Sequence, residues 1–257
     1  MKITNENYYS DALNREFMSV SQYKQFMKCE AAAMAQLRGE WKPPTTTALL
    51  VGSYVDSWFE GTLGLFRTEH PELFKRDGSM KADFVQAAEI IDRVQRDALF
   101  MEYMSGKKQV IRTKEMFGCM WKIKIDSLLP DKIVDLKVMR SMERVMGKSF
   151  VEHWGYDLQM AVYAEVEGSD LDTYLAVVTK QTPSDLEVIE IPKWRREELL
   201  YDVKQNIPHI LAVKSGEVEP ERCGVCEFCR ATKKLVEPID FELVGLSAAE
   251  RKAVFGK

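Results

Sequence analysis

The period of the apolar residues changes midway along this chain, and that change restricts its architecture more than any other feature. Up to about residue 105 the apolar positions recur at helical spacing. Val20, Tyr23, Phe26, Met27 and Ala31 follow the capping-box pattern Ser19-Val-Ser-Gln22 and predict a helix over 20–37. Trp41-Lys-Pro43-Pro44 ends it, and a second helix is expected from the threonine run 45–47 through Val51, Val55 and Phe59. A third spans 81–103, with Phe84, Ala88, Ile91, Val94 and Leu99 along one side. Beyond that point the period becomes two. Segments 110–113, 119–128 and 132–138 read as strands separated by turn signals at Phe117-Gly118 and Leu129-Pro130-Asp131. A helix over 155–166, strands over 173–180 and 187–191, and a charged helix over 193–214 complete the order. Helices, a strand meander, a helix and further strands describe an α/β domain whose mixed sheet is flanked by helices.

At 257 residues, 46% hydrophobic and 30% charged, the chain can bury a sizeable core, which excludes intrinsic disorder and small disulfide scaffolds. It shows no internal repeat and no low-complexity tract. It has no apolar run of membrane-spanning length and opens on Met1-Lys-Ile-Thr-Asn-Glu-Asn7, which lacks a secretory pattern; the expected location is the cytoplasm, with no membrane partner. The net charge of −4 is the wrong sign for coating nucleic acid nonspecifically, but the distribution is uneven. Residues 107–124 hold six basic side chains against Glu115 alone, and 132–148 hold five against Asp135 and Glu143. With His70, His153 and His209 far apart in sequence, carboxylates and thiolates must carry any chemistry.

Side chains alternate faces on a strand. Lys122, Lys124 and Asp126 therefore share one side and Trp121, Ile123 and Ile125 the other; on the next strand Val134, Leu136 and Val138 oppose Ile133, Asp135 and Lys137. Pairing of the two strands through their short turn brings Asp126 and Asp135 to one place with Lys137 beside them. Two close carboxylates repel unless a cation lies between them, and hard oxygen donors suit Mg²⁺ or Mn²⁺. Such an ion can activate water and stabilise charge on a phosphodiester, with the lysine assisting.

Asp126 followed by Asp135-Leu136-Lys137 resembles the metal-binding core of the PD-(D/E)XK nuclease superfamily, with Ile125-Asp126 in place of the Pro-Asp dipeptide. Gln159-Met-Ala-Val-Tyr163 resembles the Q-x-x-x-Y motif of its RecB-like branch, two positions on one helix face. Gly52-Ser-Tyr-Val-Asp56 resembles that branch's G-x-x-x-H motif, with aspartate where the family has a metal-ligating histidine; Glu115 is a weak counterpart of its additional acid. The resemblance implies a restriction-endonuclease-like core and a metal-dependent DNA nuclease. Asp126 and Asp135 would be Mg²⁺ ligands, Asp56 a third, Lys137 the catalytic lysine, and Gln159 and Tyr163 supporting or DNA-contacting residues. It implies one nuclease domain over 1–257, made of an N-terminal helical region over 1–105, a catalytic core over 106–192 and a C-terminal helix with cysteines over 193–257. The RecE and lambda exonuclease type suggests DNA ends as substrate, in recombination, repair or phage replication, with an annealing protein or helicase as partner and a bacterial or phage setting. Two other readings remain open: a noncatalytic DNA-binding or assembly module with a structural metal, and a site-specific endonuclease on the same fold.

Cys223-Gly-Val-Cys226-Glu-Phe-Cys229 places three thiols where a soft metal or an iron–sulfur cluster is expected, and a fourth ligand is needed. Cys119 reads as a buried strand residue, whereas Cys29 lies near the end of the first predicted helix. One early cysteine with a late triplet resembles the [4Fe–4S] staple of AddB-type nucleases, although the final gap is shorter here; a Cys₄ Zn²⁺ site is the alternative. Gly147-Lys148-Ser149 lacks the upstream glycine of a phosphate loop, and Trp194-Arg195-Arg196 reads as a surface cluster at a helix start.

Overall fold

The computed structural model describes residues 2–44, 46–235, 238–247, 250, 251 and 253. Its elements are, in chain order, α1 (Asp11–Glu16), α2 (Val20–Lys28), α3 (Glu30–Leu37), α4 (Thr47–Phe59), α5 (Leu63–Glu69), α6 (Ala82–Gln95), α7 (Ala98–Tyr103), β1 (Val110–Met116), β2 (Cys119–Ile125), β3 (Ser127–Leu128), β4 (Lys132–Met139), α8 (Phe150–Trp154), α9 (Tyr156–Glu167), β5 (Asp172–Thr179), β6 (Leu186–Glu190), α10 (Lys193–Ser215) and α11 (Glu227–Ala231). The chain divides into two compact units, one of residues 1–43, 115–121 and 202–257, the other of 44–114 and 122–201. No helix among the described residues is long and apolar enough to cross a membrane.

Three predicted elements are interrupted, each for a local reason. The helix expected over 20–37 breaks at Cys29, whose backbone is extended (φ −168°) between α2 and α3. The helix expected over 81–103 stops after α6 and restarts at Asp97, whose side chain accepts from the Phe100 N–H at 2.9 Å and so caps α7. The strand expected over 119–128 bends at Asp126, dividing it into β2 and β3. The predicted start of α4 lies at Thr47, capped by the Thr46 hydroxyl; Thr45 lies outside the described residues.

In the unit of residues 44–114 and 122–201, four strands form a mixed sheet in the order β3-β4-β5-β6. β3 and β4 are antiparallel, with Ser127 opposite Val134; β4 and β5 are parallel, with Asp135 opposite Leu175; β5 and β6 are antiparallel. The parallel pair requires a crossover, and α8 and α9 supply it. Alternation sends Val134, Leu136, Ala176 and Val178 into a core with Val51, Tyr54 and Val55 of α4 and Phe84, Ala87, Ile90 and Ile91 of α6. The opposite face buries Ile133, Leu175 and Val177, and α9 packs on β4 and β5 there. This is the expected helix-flanked mixed sheet, and it leaves β4 an interior strand with Asp135 and Lys137 under cover.

In the other unit Tyr23, Phe26, Ala33, Trp121, Val203, Ile207 and Ile210 are buried. The Trp121 ring lies 6.2 Å from Tyr23, its indole N–H donates to the Met116 carbonyl at 3.2 Å, and the Met18 N–H donates to the Met120 carbonyl at 2.7 Å.

Candidate active site and cysteine centre

Asp135 and Lys137 lie two residues apart on β4 and therefore on one face. Asp135 is 2% exposed, and its Oδ2 forms an ion pair with the Lys137 ammonium. That oxygen makes no aligned hydrogen bond, whereas Oδ1 accepts from Gln159 Nε2 at 2.6 Å. Gln159 reaches it because α9 packs directly on β4. Asp126 sits at the bend before β3, one residue from the Ser127–Val134 pair, which brings it level with Asp135. Its Oδ2 accepts the Leu136 backbone N–H at 2.9 Å, and its Oδ1 lies 3.4 Å from Gln109 Nε2. A carboxylate thus occupies a position where a ladder bond would otherwise run.

Electrostatics ties Asp56 to this pair. Burial pushes the Asp56 carboxyl up to about 7; Lys137 opposes that rise, while Asp135 and Glu60 add to it. Burial also raises Asp126 well above the carboxylate range, reinforced by Asp135 and Asp56. Burial works against the Lys137 ammonium, yet Asp135 and Asp126 outweigh it and hold its pKa above the ordinary lysine value. Three acids that feel one another's charge, with Lys137 among them and one Asp135 oxygen lacking an aligned hydrogen bond, gather more negative than positive charge. A cation of hard, oxygen-seeking character fits that donor set.

Contacts join Asp135, Lys137 and Gln159, strand register sets Asp126 level with Asp135, and Asp56 lies within reach of their charges. Tyr163 lies one turn beyond Gln159 on α9, half-buried. Glu115 is an exposed residue of β1 outside the compact unit that holds the three aspartates. Several neighbours escaped the sequence analysis. Tyr156 lies under Lys137, with the ammonium 4.8 Å from its ring centroid, and its position three residues before Gln159 was the available signal. Glu60 follows Asp56 by one helical turn and has a pKa raised by burial. Gln109, at φ +51°, and Lys108, which feels the charge of Asp126, come from the loop before β1, where no periodicity marks them.

The basic segments are less exposed than expected. Lys122 is 1% exposed and Lys137 belongs to the acid cluster, while Lys114 pairs with Glu165 at 2.5 Å. Lys107, Arg112, Arg140, Arg144 and Lys148 remain on the surface. Trp194 is exposed as expected, but its neighbours are structural. Arg195 grips the buried Asp157 at 2.8 and 3.0 Å, and the buried Arg196 donates to the Leu171 carbonyl at 2.9 Å.

The four cysteines singled out from the sequence meet in the other unit. Their sulfurs all lie within 4.8 Å of one another, the one such group of metal-ligating side chains among the described residues. Cys29 Sγ is 3.6 Å from Cys229 Sγ, and Cys223 Sγ is 3.9 Å from Cys229 Sγ. Burial raises the Cys29 and Cys229 thiols, the latter to about 12; at Cys223 burial is outweighed by backbone N–H groups of Val225 and Cys226, which bring it down to about 7. Cys119 stays outside the group, half-buried rather than buried, with its Sγ 3.9 Å from the Met116 carbonyl.

This arrangement of fold and acids has relatives. Residues 19–232 match the family described as a PDDEXK-like domain of unknown function (DUF3799). The chain belongs to that family. This PDDEXK-like protein is also similar to the crystal structure of a "Putative exonuclease" from Eubacterium rectale, at 48% identity over 95% of this chain and 99% of that one, with a TM-score of 0.91. No curated protein matched it.

Proposed function

We propose that this PDDEXK-like protein is a divalent-metal-dependent nuclease that hydrolyses DNA phosphodiester bonds, acting as an exonuclease on DNA ends. The observation that carries the reading is the meeting of Asp135 and Lys137 of the interior strand β4 with Asp126 at the neighbouring bend, with Asp56 sensing the same charges. Asp56, Asp126 and Asp135 would hold Mg²⁺ or Mn²⁺, which supplies Lewis-acid stabilisation of the phosphate and an activated water. Lys137, kept charged by its two acids, stabilises the negative charge that develops on the phosphate. Gln159 donates to Asp135 and fixes the orientation of its carboxylate; the Leu136 N–H does the same for Asp126. Tyr163 and the exposed Arg140, Arg144 and Lys148 would contact the DNA strand.

Action on ends rests on the 48% identical relative described as an exonuclease and on the RecE-like resemblance. A role in recombination, repair or phage replication alongside an annealing protein or helicase follows from the same resemblance. The test is incubation of linear and covalently closed circular DNA with Mg²⁺ and either native protein or Asp135→Asn. Loss of linear DNA alone, abolished in the variant, is the expected result. Cleavage of circles at discrete positions would make it an endonuclease, and Mg²⁺-independent binding without strand loss would make it a noncatalytic module.

A further inference from the structure

The resemblance that points to a nuclease also implies a [4Fe–4S] cluster on Cys29, Cys223, Cys226 and Cys229, and the size of the thiol group tests that implication. A single cation with metal–thiolate bonds of about 2.3 Å spaces four tetrahedral ligands about 3.8 Å apart. In a cubane each thiolate caps a different iron at the outside of the cube, so bonds of similar length put the caps roughly 6–7 Å apart. Here the Cys29–Cys229 and Cys223–Cys229 sulfurs are 3.6 and 3.9 Å apart, and all four lie within 4.8 Å. The group is the size of one ion and too small for a cubane.

Backbone contacts hold it at that size. The Ala31 N–H donates to the Glu221 carbonyl at 3.0 Å, and the Glu221 N–H donates to Glu30 Oε2 at 2.8 Å, tying the two segments together beside Cys29 and Cys223. Within the loop the Cys223 N–H points at Cys29 Sγ (3.5 Å), the Cys226 N–H at Cys223 Sγ (3.4 Å) and the Cys229 N–H at Cys226 Sγ (3.4 Å). Gly224, at φ +79°, makes the turn from Cys223 to Cys226 possible. Sulfurs that accept N–H bonds in this way are arranged as thiolates around a charge, and Cys29 joins them because its extended backbone breaks the helix.

We infer that the four cysteines bind one soft divalent cation, Zn²⁺, in a closed tetrahedral S₄ site that fastens Cys29 to the segment 223–229, in place of an iron–sulfur cluster. A closed four-thiolate site leaves no open position, so its role is structural and separate from the acid cluster. The inference stands apart from the nuclease reading, since its test measures metal and not cleavage.

The experiment is anaerobic purification of the full chain without a metal-affinity step, from cells grown with both iron and zinc. Zinc, iron and acid-labile sulfide are then measured per chain, and the optical spectrum recorded. The expected result is colourless protein with one zinc per chain and no labile sulfide. Co²⁺ exchanged into the site should give the intense visible bands of a tetrahedral tetrathiolate, which Zn²⁺ then abolishes. Cys226→Ser should lose its zinc on dialysis against a chelator concentration at which the native protein retains it. A brown protein with iron and labile sulfide, a lone iron without sulfide, or metal-free thiols would each overturn the inference, whether or not the variant folds.

Discussion

Asp126 and Asp135 carry the same side chain into the same site and are held there by different means: one by a backbone N–H at a strand bend, the other by Gln159 and Lys137 on an interior strand. That difference separates the effects expected of their neighbours. Under the proposed function, Gln159→Ala should raise the Mg²⁺ concentration needed for half-maximal cleavage by about 10-fold to 100-fold, since it frees the Asp135 carboxylate, while the rate at saturating Mg²⁺ changes much less. Lys137→Met, which removes the cation proposed to meet the charge developing on the phosphate, should instead lower kcat by about 10²–10³-fold at every metal concentration. Titrating metal against initial rate for both variants distinguishes the roles. The acids also predict a pH effect on the metal-free protein. Asp126 and Asp56 hold a proton more tightly folded than unfolded, so their contribution to stability is full below the ordinary carboxylate range, about 4, and is lost as pH rises through the Asp56 value of about 7. In the presence of EDTA, the Tm should therefore drop between pH 5 and pH 8, and excess Mg²⁺ should restore it at pH 8. Thermal melts that are flat with pH, or indifferent to Mg²⁺, would count against three acids sharing a cation. Strand alternation pointed to Asp126, Asp135 and Lys137, and the family resemblance pointed to Gln159. Gln109, Lys108 and Glu60 were missed because a loop has no period and a single acid on a helix has no distinguishing neighbour.

At the level of elements, the predicted helices and strands formed, and the unpredicted breaks fall at chemically useful places. β2 and β3 are separated by the bend that presents Asp126, and α2 and α3 by the residue that presents the Cys29 thiol. Neither break follows from propensity, since nothing in Ile125-Asp126-Ser127 or Lys28-Cys29-Glu30 forbids continuation; long-range partners decide both. β3 is fixed from behind by Gly106, whose N–H donates to Ser127 Oγ at 2.9 Å. A Cβ there would meet the Leu128 carbonyl carbon and oxygen at 2.6 Å and Ser127 Oγ at 2.8 Å. Gly106→Ala should therefore destabilise the protein by about 1–3 kcal/mol, because backbone must move to admit the methyl group. Urea unfolding measures this, and reduced Mg²⁺ affinity should accompany it because Asp126 directly precedes the displaced strand. An unchanged midpoint would show that β3 is not confined as described.

Across the whole molecule, a net charge of −4 coexists with exposed Arg140, Arg144 and Lys148 on the segment that follows β4. If this segment meets the DNA backbone, replacing all three by alanine removes up to three phosphate contacts. The slope of log binding constant against log salt should then become shallower by about 2 to 3. Anisotropy titrations with labelled duplex in Ca²⁺ provide the measurement, and an unchanged slope would move the contact surface elsewhere. By itself the sequence pointed to the helix-flanked mixed sheet, to two acids and a lysine on paired strands and to the late cysteine triplet, because periodicity and spacing are local properties; Cys29 came from the family resemblance. Tertiary structure alone decided that Asp56 shares the charges of Asp126 and Asp135, that Lys122 and Arg196 are buried rather than surface cations, and that the thiols close to the dimensions of one ion. Burial and distance between segments remote in sequence are fixed only once the chain has packed, and they set both the charge of an acid cluster and the size of a metal site.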